Sequence, residues 1–253
     1  KSKKFLDYGI NNIVLMFDDI INSLKIDDLT LAKYHADLTN KLYDDLSEKL
    51  YVVPTIYADE LISQLPKSPK EFLDTINNKI IFFYCGKKVI CCNKVDYKSD
   101  FLKFIDKERI ILWDNFYAND YCPRKFFIGS RPISKTYKKL MVNLTGNIEL
   151  DLVLLEIGYL KNNNLDSLKT VLKSNNIPNK FNQVLKYFYS PNKQINLNKI
   201  SKANLLKDIR ALDHLLWIWK TPLARELFPY FMILKQNLNV LYKKDLKYLE
   251  KYF

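Results

Sequence analysis

Two vicinal carboxylates, Asp18 and Asp19, close the apolar run IVLMFDDI. Further along, the segment IILWDNFYANDYCPRKFFIG from Ile110 to Gly129 breaks out of aliphatic residues into Trp113, Asp114, Asn115, Asn119, Asp120 and Tyr121. An aromatic wall with a few fixed polar donors and acceptors is what a pyranose ring needs. These residue types therefore point to a carbohydrate pocket served by two carboxylates.

Neighbouring carboxylates repel, so one proton is held more tightly, and partial burial raises that pKa further. The result is one neutral acid able to protonate a leaving group and one anion able to stabilise positive charge. The bland alternative is that Asp18 or Asp19 caps the following helix. Asp27/Asp28 and Asp44/Asp45 are also Asp-Asp pairs, read as solvated caps and helix surface; only Asp18/Asp19 follows a strand-like run. Trp113 as a core residue, Tyr57 as an anchor at a helix start and Asp120 as a turn cap are the corresponding bland readings.

The elements that must position these groups recur along the chain. Short β-rich runs lie at Ile13 to Phe17, Leu50 to Val53, Ile80 to Tyr84, Ile110 to Trp113 and Leu140 to Leu144. A spacing of about thirty residues is that of β/α units in a barrel. Continuous apolar runs suit parallel strands buried on both faces. Between them, Leu31, Tyr34, His35, Leu38 and Leu42 put an apolar stripe on one helix, and Phe101, Phe104 and Ile105 mark another. The runs end in Asp18 and Asp19, in Thr55 and Tyr57, in Cys85 and Gly86, and in Asp114 and Asn115, where a (β/α)8 barrel assembles its chemistry.

After about Leu160 the pattern becomes helical. Leu165 to Leu172, Phe181 to Tyr189 and Ala203 to Trp219 read as helices, with a turn around Pro191 and Asn192. Pro222 suits the first turn of a last helix, expected to break at Pro229 and resume to Tyr242. His214, Trp217 and Trp219 read as packing residues. The expected organisation is an α/β portion over residues 1–165 followed by an all-helical extension over 166–253.

Composition narrows the classes. The formal charge of +12 comes from scattered Lys with few Arg and no dense basic tract, so nucleic acid is not the expected partner. Cys85, Cys91, Cys92 and Cys122 make no C-x-x-C pair, and His35 and His214 lie far from them, which argues against a zinc site. Free thiols suit a reducing compartment. Asp213, Lys220, Arg225 and Glu226 interrupt the most apolar late stretch, and no signal-peptide pattern opens the chain. A cytoplasmic protein without membrane contact is expected, a secreted one remaining open if the native N-terminus lies upstream.

The sequence resembles the O-GlcNAcase-like β-N-acetylglucosaminidases of glycoside hydrolase family eighty-four. The match runs in order through LMFDDI at Leu15 to Ile20, VVPTIY at Val52 to Tyr57, LWDNFYANDY at Leu112 to Tyr121 and FIG at Phe127 to Gly129. The resemblance implies that Asp18 orients and polarises the substrate's 2-acetamido group and that Asp19 is the general acid/base. It further implies that Tyr57 hydrogen-bonds the acetamido oxygen, that Trp113 packs beside the acetamido methyl with Asn115 near that group, and that Asp120 holds sugar hydroxyls. The nucleophile is then the substrate's own acetamido oxygen, giving an oxazoline intermediate and retention, with no metal or cofactor. The implied partner is a protein or glycan bearing N-acetylglucosamine.

Three departures accompany the match. A Gly-rich first strand and an upstream sugar-binding Lys have no counterpart, because Lys1 falls in the helix before what resembles strand four. Tyr84-Cys85-Gly86 stands where the family often has Trp-Thr-Gly. Asn143-Leu144 stands where it has Asn-Pro, which makes Asn143 the natural match for a residue binding sugar hydroxyls. The expectation is therefore strands four to eight of a (β/α)8 TIM-type barrel, completed by an upstream segment or a separate chain. The alternative is a catalytically incomplete glycan-binding or scaffold protein on the same fold.

Overall fold

The computed structural model describes residues 7–20, 26–46, 50–132, 138–158, 164–192 and 199–243, with Lys4, Leu160 and Ile195 as single positions. Lys1, expected in a helix, lies outside them. By contacts the chain divides into two compact units, residues 1–115 with 133–142, and residues 116–132 with 143–253. These divisions fall at 115/116, 132/133 and 142/143, whereas the sequence pattern changes after about Leu160.

The first unit holds a five-stranded sheet, β1 (Ile13–Met16), β2 (Leu50–Val53), β3 (Ile81–Tyr84), β4 (Ile110–Asp114) and β5 (Lys139–Val142). The strands lie side by side in chain order and every neighbouring pair is parallel. Parallel neighbours need crossovers. α1 (Asp28–Leu46) joins β1 to β2, and α2 (Ser68–Thr75) with the 3-10 segment Asp59–Gln64 joins β2 to β3. Asp27 caps α1, its carboxylate accepting from the Thr30 N–H at 3.0 Å.

The pleat sorts side chains to two faces. Leu50, Val52, Ile80, Phe82, Tyr84 and Ile110 face Ala32, Ala36 and Leu46 of α1 and Phe72 and Ile76 around α2. Each such large apolar side chain removed from water contributes about 1.5–3 kcal/mol. α1 is held here by part of the expected stripe, with Leu31 and His35 buried and Leu42 packed against the core. Leu31, Ala32, His35, Ala36 and Thr39 are buried, while Tyr34 and Leu38 are exposed. The small Ala32 and Ala36 let the helix approach the sheet closely, which rotates the larger Tyr34 and Leu38 outward.

The opposite face carries Tyr51, Val53, Phe83, Ile111, Trp113 and Met141, with Tyr57, Ala58 and Cys85. Register extends it onto β1, where Val14 pairs with Tyr51 and Met16 with Val53. There Val14 is 44% and Met16 56% exposed, so this edge of an apolar face meets solvent.

The connection from β3 to β4 has no α-helix where Phe101 and Ile105 suggested one. It makes 3-10 turns over Phe101–Phe104 and Lys107–Arg109. Asp59 anchors the first of them: it accepts from Ser99 Oγ at 2.6 Å and from the Asp100 N–H at 3.0 Å, and Ser99 Oγ in turn accepts from the Leu102 N–H. These contacts satisfy backbone N–H groups at the start of the first turn, as a cap does.

The second unit contains α3 (Ile148–Gly158), α4 (Leu165–Ser174), α5 (Phe181–Val184), α6 (Lys202–Trp217) and α7 (Pro222–Lys243). The expected helix over Phe181 to Tyr189 is shorter, α5 running into a 3-10 turn at Leu185–Tyr187. The sequence placed no element at α3. Its first backbone N–H groups, of Glu149 and Leu150, donate to the Glu226 carboxylate of α7 at 3.1 and 2.9 Å, a cap supplied from 76 or more residues away. The break expected at Pro229 does not occur. α7 runs through it with Leu227, Tyr230, Phe231 and Leu234 all buried, so packing on both sides outweighs the one lost backbone hydrogen bond.

An aromatic core fills this unit, with Phe126 stacked on Phe188 at 4.3 Å and Phe231 edge-on to both. Gly129, the glycine of the FIG motif, belongs to it. A Cβ there would sit 1.8 Å from the Tyr189 carbonyl oxygen, so only glycine permits the approach. No helix among the described residues is long and apolar enough to cross a membrane.

Candidate functional site

The C-terminal ends of β1, β2 and β4 deliver the candidate residues of the first unit. β1 continues as far as the buried Phe17, whose N–H donates to the Val53 carbonyl at 2.9 Å, and the chain then turns at Asp18 and Asp19. Asp19 has φ 59°, a left-handed conformation that Asp tolerates better than most residues. Asp18 is half-buried and Asp19 exposed. Burial, assisted by the neighbouring Asp19 charge, raises the Asp18 pKa above the ordinary carboxylate value, against the lowering effect of its own backbone N–H. Residues 21–25, where a helix capped by Asp18 or Asp19 would begin, lie outside the described residues.

Tyr57 reaches this turn from the segment after β2. Its hydroxyl donates to Asp19 Oδ1 at 3.2 Å. Burial first, then the Asp19 charge and this hydrogen bond, hold its pKa well above the ordinary phenol value, so the group is a donor at any working pH. Its ring meets Trp113 with centroids 5.4 Å apart, and Trp113 meets Phe83 edge-on at 6.5 Å. The Trp113 indole N–H is buried with no partner among the described residues.

Asn115 lies just past β4 and is buried. Its amide nitrogen donates to Cys85 Sγ at 3.3 Å and to the Val89 carbonyl at 3.0 Å, which orients the side chain from the end of β3. Cys85, buried at the strand end, has its thiol pKa pushed well up by burial, with the nearby Cys91 adding to the effect. Cys85 and Cys91 are thus structural thiols rather than nucleophiles. Gly86 follows with φ 120°, and a Cβ there would stand 2.6 Å from the Asp96 carbonyl oxygen, so the Tyr84-Cys85-Gly86 departure keeps its glycine for packing.

Asp114 had no assigned role in the sequence. It is buried and accepts from the Tyr97 hydroxyl at 3.0 Å. The signal was available, because strand alternation puts Asp114 on the opposite face from Trp113.

Asp120 and Asn143 belong to the second unit. Asp120 is exposed on a turn closed by the Cys122 N–H to the Asn119 carbonyl at 3.0 Å, and Asn143 is half-buried just after β5. The neighbouring Asn119 is structural, its amide donating to the Lys125 carbonyl at 3.1 Å and to the Tyr230 hydroxyl at 3.2 Å. The structure therefore joins Asp19, Tyr57 and Trp113 in one chain of contacts, with Asp18 beside it and Asn115 fixed through Cys85. Among the described residues, no three His, Cys, Asp or Glu side chains are placed to share a metal ion.

Comparison with known proteins matches the chain to one family. Residues 1–148 match the family described as beta-N-acetylglucosaminidase. The chain is 26% identical over 182 residues to Protein O-GlcNAcase of Rattus norvegicus and, equally, to that of Mus musculus, an alignment covering 66% of this chain and 19% of each relative. The solved structure of CpGH84B superposes with a TM-score of 0.62 at 14% identity, covering 96% of this chain and 50% of that one, which is a likeness of fold. The chain spans about a fifth of the length of the curated relatives it matches.

Proposed function

Because the chain belongs to the β-N-acetylglucosaminidase family, we propose that it carries the acid-bearing part of a retaining glycosidase that removes β-linked N-acetylglucosamine, with protein Ser or Thr as the attachment point. The observation that carries the reading is the contact of the Tyr57 hydroxyl with Asp19 beside the Tyr57–Trp113 ring pair. It puts a carboxylate, a permanent donor and an aromatic wall at neighbouring strand ends.

In this reading the five parallel strands are an arc of an eight-stranded barrel, whose chemistry lies at the C-terminal strand ends. The exposed Val14 and Met16 on β1 support it, since further strands supplied by an upstream segment or a separate chain would cover them.

Asp18 accepts the acetamide N–H and favours the conformer in which the acetamido oxygen attacks the anomeric carbon. As that bond forms, the glycosidic C–O bond breaks and Asp19 gives its proton to the leaving oxygen. Water then opens the oxazoline, returning its proton to Asp19. The raised pKa of Asp18 suits a group that ionises as the substrate's N–H arrives, because a hydrogen bond to the charged form favours it. Trp113 packs the acetamido methyl, Tyr57 turns its hydroxyl to the acetamido oxygen, and Asn115 borders that group.

The test is hydrolysis of fluorogenic β-N-acetylglucosaminides by the full-length polypeptide and its Asp18→Asn and Asp19→Asn variants. Asp19→Asn should lose about 10²-fold or more on a poor leaving group and far less on a good one, whereas Asp18→Asn should lose on both. Equal losses of Asp19→Asn on both substrates would remove its acid role. Sugar binding without turnover in the unaltered protein would favour the glycan-binding alternative.

A further inference from the structure

The second unit contains an open cleft of about 590 Å³, lined by Asn179, Lys180, Asn182 and Gln183 on one side and by Lys207, Arg210 and Ala211 of α6 on the other. The apolar residues of α5, Phe181 and Val184, point into the core, which leaves its polar residues to the cleft. Lys207 and Arg210 stand three apart on α6 and so share a face.

No carboxylate lines this cleft, and the acids nearest in sequence are already engaged. Asp208 is fully buried and accepts from Gln183 Nε2 at 2.6 Å, from the Tyr187 hydroxyl at 2.6 Å and from Lys186 Nζ at 2.7 Å. Asp213, the other acid of α6, pairs with Lys235 at 2.5 Å. From Asn175 to Tyr187 there is no Asp or Glu. Among the described residues, Lys180, Lys207 and Arg210 form no ion pair. Three cations thus border one concavity whose wall is pinned by the Gln183–Asp208 hydrogen bond.

The lining restricts the ligand. It has no aromatic side chain on which a base could stack, against a single-stranded nucleic acid. Ala211 is its only apolar residue, against a lipid chain or an apolar peptide anchor. One guanidinium fork, two ammonium groups and three side-chain amides match a compact dianion with several acceptor oxygens. We propose that this cleft binds a phosphate monoester, either on a small phosphorylated sugar or on a phosphoserine side chain.

The test is titration of the full chain at low ionic strength, where exposed charges are least screened, with inorganic phosphate, a hexose phosphate, a phosphoserine peptide and its unphosphorylated counterpart. The expected result is saturable binding of a phosphorylated ligand, none of the unphosphorylated peptide, and weakening as salt rises. Arg210→Gln and Lys207→Gln should each weaken binding about tenfold; both residues are exposed, so unchanged circular dichroism and melting are expected alongside. The hexose phosphate and the phosphopeptide distinguish the two sources, and binding of either supports the site. No saturable binding, equal binding by the double variant, or tighter binding of a single-stranded oligonucleotide than of any phosphate monoester would overturn the proposal.

Discussion

The Tyr57 hydroxyl donates to Asp19 Oδ1 at 3.2 Å across 38 residues of chain. β1 and β2 are adjacent and parallel, so their C-terminal ends lie together, and the left-handed turn at Asp19 presents its carboxylate to the phenol. Such a backbone conformation costs of order 1–3 kcal/mol, and it occurs here at the residue proposed as the acid.

Tyr57→Phe removes this donor and keeps the ring against Trp113. In the proposed reaction this donor turns to the neutral acetamido oxygen, and a typical hydrogen bond contributes about 0.5–1.5 kcal/mol, so kcat/KM should fall about 2- to 10-fold while the melting temperature moves little. Steady-state kinetics beside a thermal melt checks this, and an unchanged kcat/KM would separate Tyr57 from the chemistry.

Asp18 carries a pKa raised chiefly by burial. If its anion receives the acetamide N–H, kcat/KM should decline as pH falls through this raised value, with an acidic limb above that of an ordinary carboxylate. The limb should disappear in the residual activity of Asp18→Asn. A limb that persists there belongs to another group.

His35 is stacked on Phe17 at 4.0 Å, and its Nδ1 lies 2.8 Å from Thr55 Oγ1. Burial lowers its pKa from 6.5 to about 4. Between those values the unfolded chain binds a proton that the folded chain refuses, so this contribution is intact above the unfolded pKa and is lost as pH falls toward the folded one. By pH ~5 the loss should be about 2 kcal/mol. Urea unfolding at neutral and acidic pH, compared with His35→Phe, measures it; the variant should show a flatter dependence.

Gly129→Ala drives a methyl into the Tyr189 carbonyl and should cost about 4 kcal/mol or more. Gly146→Ala meets no atom within 4 Å and bears only its left-handed φ of 80°, about 1–2 kcal/mol. Calorimetric melts of the two variants should differ accordingly, and similar losses would contradict the close approach at Gly129.

The strands were legible because strands of a parallel sheet read as apolar runs, and all five begin within one residue of the expected position. Asp18, Asp19, Tyr57, Trp113 and Asn115 were legible for a related reason, since a parallel sheet presents its strand ends together. What depends on contacts distant in sequence was not legible. The rotation of α1 onto Ala32 and Ala36, the passage of α7 through Pro229 and the capping of α3 by Glu226 each follow from partners that local propensity does not contain. The same division holds at the site. Sequence by itself determined which residue types stand at the strand ends, because strand period and chain order are local properties. Only the tertiary structure decided that Tyr57 turns to Asp19, that burial raises the pKa of Asp18 and that Asn115 is oriented by Cys85, because hydrogen bonding and desolvation depend on what other segments bring to each side chain.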